Sequence, residues 1–353
     1  MSTKQIYLAM SGGVDSAAAA LLLRRAGCDV SAVTLRLHRD TDRPGICGSG
    51  DDIAVAAAVA ASMGIPHTVL DLCQRFKETV MARFAAEYVR GRTPNPCVDC
   101  NREIKFGALL DWALDRGADG LATGHYARVR YNAPSGRWQL LRGLDRRKDQ
   151  SYFLFQLTQF QLSHLLLPVG DYEKTAIRAM AGAQGLANAQ KPDSQDICFV
   201  PDGDYVAFLR RWGVQLRSGN FVDVSGRVLG PHRGLECYTT GQRKGLGISS
   251  DAPLYVLRKE LSSGNVVLGP NSALFTRELT AERLNWISIP ELTAPMAVTA
   301  KTRYSQREAE AVLEPLPGGR VRAVFEEPQR AVTAGQAAVF YDGETVVGGG
   351  IIC

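Results

Sequence analysis

Apolar positions in the first 200 residues come in short runs separated by polar turns and by Ala- and Leu-rich segments. Residues 5–10 (QIYLAM) read as a short buried strand. After Ser11-Gly12-Gly13, residues 15–26 (DSAAAALLLRRA) have the content of a helix that Gly27 ends. A second strand is predicted over 29–35 and an Ala-rich helix over 51–63, stopped by Gly64. A third strand over 67–72 follows Pro66. Helices are predicted over 76–90 and 103–116, then a strand over 119–123 opening into Gly124-His125-Tyr126. Such alternation predicts an α/β fold with a doubly wound parallel sheet, which binds ligands where its strands end. Beyond it, residues 127–143 alternate around 132–136 as a hairpin, and helices are predicted over 150–157 and 173–184.

The pattern then changes. From Phe221, Gly and Pro recur between short apolar stretches, and from Asn285 strand follows strand: MAVTAKTRY, EAVLEP, RVRAVFEE and AAVFYDGETVVGGGII. The expected organisation is an α/β domain over 1–200, a small central domain over 201–274 and a C-terminal β-barrel over 275–353. A chain of 353 residues exceeds what one hydrophobic core usually serves. With 45% apolar and 22% charged residues and no uninterrupted apolar run near ~18, disorder and membrane insertion are excluded as expectations. The formal net charge is +5, and the basic excess falls within the first 273 residues, a weak pointer to a polyanion. Eight cysteines and an amino-terminal stretch unlike a signal peptide predict reduced thiols in the cytoplasm. Special cysteines should then bind metal or do chemistry. Cys28, Cys47, Cys73, Cys237 and Cys353 lack suggestive surroundings, and Cys28 and Cys73 suit packing.

Ser11-Gly12-Gly13-Val14-Asp15-Ser16 lies between the first predicted strand and helix. Two glycines permit a tight turn that brings backbone N–H groups against an anion, the helix start adds partial positive charge, and Ser11 and Ser16 add hydroxyls. This is a phosphate cradle without the terminal Lys-Ser or Lys-Thr of a Walker loop. It resembles the PP-loop ATP pyrophosphatase superfamily, which uses ATP to adenylate a substrate oxygen, releases pyrophosphate and displaces AMP with a nucleophile.

A second signal is Thr93-Pro94-Asn95-Pro96-Cys97-Val98-Asp99-Cys100-Asn101, followed by Glu103-Ile104-Lys105-Phe106. A helix starting near Glu103 would direct its positive end at Cys100 and lower the thiol pKa. Cys198 stands in Asp193-Ser194-Gln195-Asp196-Ile197-Cys198-Phe199. Together with ATGHY, LLRGLDRRKDQSYFL, GQRKGLGI, KTRY and the terminal GGGII, these motifs span the chain in order and resemble the tRNA-specific 2-thiouridylase family.

The resemblance implies a sulfurtransferase that replaces the C2 oxygen of wobble uridine 34 with sulfur in the tRNAs for lysine, glutamate and glutamine. Ala9, Met10, Ser11, Gly12, Gly13, Val14, Asp15 and Ser16 would hold ATP, with Leu35 and Gly124 at its adenine and ribose end and Mg²⁺ inferred from the ATP chemistry. Asn95, Pro96 and Cys97 would meet the target base, near His125. Lys148, Asp149, Gln150, Arg243, Lys244, Arg303, Tyr304 and Gln336 would contact tRNA, as would Arg142, Arg146 and Arg147. In the family pattern a persulfide on Cys198 delivers sulfur and Cys100 releases the product through a disulfide, so a sulfur-donor protein or persulfide carrier is an expected partner. The wobble base must leave its stack to reach both thiols.

At one position the chain departs from the family pattern Asn-Pro-Asp-x-x-Cys: Cys97 stands where an aspartate is usual. Cys97, Cys100 and Cys198 together offer three soft ligands that suit a [4Fe–4S] cluster able to activate sulfide, or a structural zinc ion. Persulfide relay and cluster chemistry both require Cys100 and Cys198, whereas only the cluster makes Cys97 a ligand. Two other readings are an ATP-dependent amide or amidine ligase acting on a small molecule, which has no use for three cysteines, and an RNA-binding scaffold with a relict nucleotide site.

Overall fold

The computed structural model describes residues 3–38, 49–186, 188–189, 197–200 and 202–353. Cys47 and Asp193-Ser194-Gln195-Asp196 lie outside the described residues.

Strand β1 (Gln5–Ala9) of a parallel sheet buries Ile6 and Leu8 on one face, while Tyr7 and Ala9, half-buried, pack against the core on the other. Its neighbours are β2 (Asp29–Arg36) and β4 (Gly120–Thr123), with β3 (His67–Asp71) beyond β2 and Leu165–Leu166 beyond β4. All four pairings are parallel. The chain therefore builds outward from β1 to β3 and then crosses back to β4, which makes the gap between β1 and β4 the topological switch point where such sheets bind ligands. Helix α1 (Val14–Arg25) carries Ala17, Ala18, Ala19 and Ala20, all fully buried. Their small side chains admit the helix Lys174–Ala183, whose Ile177 and Ala181 share one core with them. Helix α2 (Gly50–Ser62) starts at Ser49, whose hydroxyl accepts from the Asp52 N–H at 3.2 Å.

Three sequence expectations require correction. The helix predicted over 76–90 is α-helical at Cys73–Phe76 and Ala82–Val89, with a π-helical turn at Lys77–Met81 between them. The helix predicted from residue 103 begins seven residues earlier. It comprises Pro96–Asp99, a π-helical Cys100–Ala108 and Leu109–Leu114. Asn95 is the N-cap, accepting from the Cys97 N–H at 3.1 Å, and Pro96 occupies the first turn, where a missing N–H costs nothing. Cys97 thus sits in that turn and Cys100 inside the helix, not ahead of it. The helix predicted over 150–157 is a 3₁₀ turn, Ser151–Leu154.

Hairpin strands Ala127–Asn132 and Arg137–Arg142 leave the parallel sheet, and Leu141 pairs with Thr345 near the C-terminus. There, strands Phe275–Trp286, Arg320–Arg330, Ala309–Leu316, Met296–Lys301, Ala337–Asp342 and Thr345–Ile352 follow one another, and the last pairs with the first to close a barrel. A smaller sheet of Tyr255–Glu260, Asn265–Gly269, Gly219–Val222 and Val228–His232 packs around Phe221, Tyr238 and Leu268. The α/β part and the barrel share a core: Tyr152, Leu154 and Phe155 pack with Val339, Tyr341 and Ile351. Among the described residues no helix is long and apolar enough to cross a membrane.

Candidate active site

The loop after β1 is pinned from several directions. Met10 donates its N–H to Val33 O at 2.9 Å and accepts on its carbonyl from the Thr34 hydroxyl at 2.7 Å. Gly12 has φ +73°, and a Cβ there would stand 2.6 Å from the carbonyl oxygen of Asp52, so glycine is required twice over. Ser16 accepts from the Ser11 N–H at 3.2 Å and donates to Gly13 O at 2.9 Å, closing the turn on itself. Buried Asn188 donates to Gly12 O at 3.1 Å, while its Oδ1 has no hydrogen-bond partner among the described residues. Gly124, after β4, approaches so closely that a Cβ would lie 2.8 Å from the Ser16 nitrogen. The residues expected to hold ATP, 9–16 and Gly124, therefore meet across the switch point, with Leu35 at the end of β2.

Three residues unassigned by sequence complete this place. Lys174 is 7% exposed, and its Nζ lies 2.7 and 2.8 Å from the two carboxylate oxygens of Asp15. The Tyr126 hydroxyl donates to Asp15 Oδ1 at 2.7 Å. Lys105, from the π-helical turn after Cys100, reaches to 3.5 Å from His125 Nε2. Burial, aided by the Lys105 charge, holds the His125 pKa well below the usual histidine value, so its ring is neutral at pH 7. A neutral ring that accepts from Lys105 at Nε2 carries its proton on Nδ1, where it donates to Thr123 Oγ1 at 2.7 Å. Cys100 and Lys105 are five residues apart in a segment whose bonds run i to i+5, so they share a face. The helix carrying one thiol thus also touches the segment after β4 that carries Gly124 and His125. Lysines 105 and 174 could not be found by sequence, because nothing local distinguishes them from solvated lysines.

Asp99, one residue before Cys100, is buried and ion-paired with Arg83 at 2.6 Å. Burial nevertheless outweighs the attraction of Arg83 and Arg102 and lifts its pKa to about 6. Cys97 is exposed, and Cys100 and Cys198 are half-buried. Among the described residues no three Cys, His, Asp or Glu side chains are grouped to hold a metal ion, Cys97, Cys100 and Cys198 included.

The residues expected to face RNA fall into two kinds. Arg243 and Lys244 are exposed in a turn, and Tyr304 presents 37% of its surface while its ring packs 4.3 Å from Phe153, with Lys301 Nζ 5.7 Å above it. Lys148 is half-buried in the loop that follows the hairpin. The others are engaged internally. Asp149 is buried and accepts from the Gly143 and Ser151 N–H groups at 3.0 Å, and Gln150 accepts from the Tyr126 N–H at 2.9 Å. Arg303 donates to the carbonyls of Thr240 at 3.1 Å and Ala331 at 2.9 Å, and Gln336 donates to Thr93 O at 2.7 Å. Arg142 corrects an expectation: it is buried, stacked 3.7 Å from the Tyr341 ring and paired with Glu308, which suits a tie between hairpin and barrel and not a phosphate contact. Arg146 pairs with Glu344, and Arg147 lies 3.4 Å from Asp145.

Comparison with known proteins follows the same division of the chain. Residues 4–202 match the tRNA methyl transferase HUP domain family, 207–270 the tRNA methyl transferase PRC-barrel domain, and 276–352 the aminomethyltransferase beta-barrel domain. The chain is 48% identical to the tRNA-specific 2-thiouridylase MnmA of Acetivibrio thermocellus, over 100% of both chains. It is 49% identical to that of Heliobacterium modesticaldum, over 98% of this chain and 92% of the relative. For Clostridioides difficile the identity is 45%, over 99% and 98%. With full-length similarity of this order carried on all three domains, the chain belongs to the tRNA-specific 2-thiouridylase family.

Proposed function

We propose that this protein thiolates C2 of wobble uridine 34 in the tRNAs for lysine, glutamate and glutamine. ATP supplies the activation: the C2 oxygen attacks the α-phosphorus, pyrophosphate leaves, and C2 then carries AMP as its leaving group. A persulfide on Cys198, charged by a sulfur-donor protein, attacks C2, and the C2–O bond breaks to release AMP. Cys100 as thiolate then attacks Cys198 Sγ in the C2–S–S–Cys198 adduct. The 2-thiouridine leaves with the electron pair of the broken S–S bond, and a Cys100–Cys198 disulfide remains for an external thiol to reduce. The backbone of residues 11–16 and the start of α1 offer donors to the pyrophosphate, and neutral His125 holds Lys105 beside the reacting groups. Mg²⁺ accompanies ATP as part of the substrate. The cytoplasm, where thiols stay reduced, is the setting this cycle needs.

The observation that carries the proposal is that Gly124-His125-Tyr126 touches the SGGVDS loop through Gly124 and Tyr126 and the Cys100 helix through Lys105–His125, in a chain similar over its whole length to 2-thiouridylases. The test supplies unmodified lysine tRNA, ATP and a persulfide donor, and measures pyrophosphate and 2-thiouridine at position 34. Expected is tRNA-dependent pyrophosphate release with thiolation in equal amount. Pyrophosphate formation indifferent to tRNA would instead support the small-molecule ligase.

A further inference from the structure

The SGGVDS loop holds no basic residue, and between Lys4 and Arg24 the sequence contains none. A bound triphosphate brings roughly four negative charges, of which an accompanying Mg²⁺ offsets about two. The helix start, worth about half a unit charge, and the loop amides cannot balance them alone. The fold places an ammonium at this spot from 159 positions away: Lys174 Nζ, 2.7 and 2.8 Å from Asp15. We propose that Lys174 is the phosphate-binding lysine of this site, held on Asp15 in the nucleotide-free protein and moved onto the pyrophosphate portion when ATP binds. The inference rests on reading the SGGVDS loop as the ATP site.

Four observations carry it. Desolvating the Lys174 ammonium offsets much of the Coulomb gain from its half-buried partner Asp15, so stability alone does not account for burying Lys174 to 7%. Asp15 has a second partner, the Tyr126 hydroxyl at 2.7 Å, and remains hydrogen-bonded after the lysine moves. Lys174 is the first residue of its helix, with its N–H fixed on Asp145 Oδ2 at 3.2 Å. The base of the side chain is therefore stationary while the flexible four-carbon stem can swing. Gly124 packs against the backbone of Asp15 and Ser16, so Lys174 Nζ, on Asp15, already stands at the loop read as the phosphate cradle. The ligand class is a nucleoside triphosphate or free pyrophosphate, and a monophosphate would gain little from Lys174.

Calorimetric titrations of ATP, pyrophosphate and AMP, run on the full chain, test this. Lys174→Met should weaken ATP and pyrophosphate binding by about tenfold or more, the worth of a charge-assisted hydrogen bond, and leave AMP affinity within about twofold. Equal loss for AMP and ATP would show a merely structural lysine and overturn the inference. Should Lys174→Met fail to fold because Asp15 is left unpaired, Asp15→Asn and Asp15→Asn/Lys174→Met are compared in EDTA. The single variant should bind ATP, and adding Lys174→Met should cost about tenfold or more. No further loss, or no ATP binding by the single variant, overturns the inference. If the wild-type protein binds no ATP, the ATP-site reading itself fails and takes this inference with it. If the wild type binds ATP and Lys174→Met binds it equally well, only the inference fails.

Discussion

At the scale of single residues, the chemistry is assigned by exposure and neighbours. Cys97 is exposed in the first turn of its helix, whereas Cys100 one turn on shares a face with Lys105, which touches His125. Cys100→Ser and Cys198→Ser should each abolish 2-thiouridine formation, while Cys97→Ser should retain it within a few-fold in iron-free protein supplied with persulfide, read by nucleoside mass spectrometry. Loss of thiolation in Cys97→Ser together with loss of bound iron would restore the cluster route. Asp99 predicts a pH dependence. Its carboxyl, raised from 3.8 to about 6 by burial, binds a proton more tightly folded than unfolded. The stability this contributes is fully present below pH 3.8 and is lost as pH rises through about 6, with a ceiling of about 3 kcal/mol for a shift of this size. The urea midpoint of the wild type should therefore fall more between pH 4 and 7 than that of Asp99→Asn. Parallel curves would contradict this.

At the scale of elements, the loop after β1 and the helix from Pro96 set the geometry. Gly12→Ala places a methyl 2.6 Å from the Asp52 carbonyl at a φ of +73°, so α2 and the loop must separate. Backbone strain of this kind costs on the order of 1–3 kcal/mol, and ATP affinity should fall by at least tenfold, measured by titration alongside the thermal midpoint. The π-helical Cys100–Ala108 turn widens the spacing so that residues five apart align, which is how one helix presents both a thiol and an ammonium. Gly107 permits it, since a Cβ there would meet Arg102 O at 2.9 Å.

At the scale of the molecule, the hairpin over Ala127–Arg142 joins the α/β domain to the barrel through Leu141–Thr345 pairing and the buried Arg142–Tyr341 stack. The barrel therefore presents Tyr304 and Lys301 on the same body as the candidate site, and Arg243 and Lys244 stand exposed in a turn of the central domain. Arg243→Ala should weaken tRNA binding similarly for all substrate tRNAs and lower the slope of log affinity against log salt by about 1, as expected of one phosphate contact. Arg303→Ala should instead lower the thermal midpoint, since its guanidinium ties Thr240 to Ala331 across the central and C-terminal domains. A changed salt slope with an unchanged midpoint would move Arg303 to the RNA surface.

Local sequence determined what depends on local physics. The glycine loop after β1, the Ala-rich α1, the strands of the barrel and the family of the chain were all legible, because period, turn residues and motif order are one-dimensional properties. Tertiary structure decided the rest. It moved the cysteine helix start from 103 to Pro96, attached the hairpin to the barrel and turned Arg142 inward. It also brought Lys174 to Asp15 and Lys105 to His125. Each of these is a contact between positions far apart in the chain, or a competition between burial and charge. Such outcomes follow from which faces pack together, and no window of neighbouring residues contains that information.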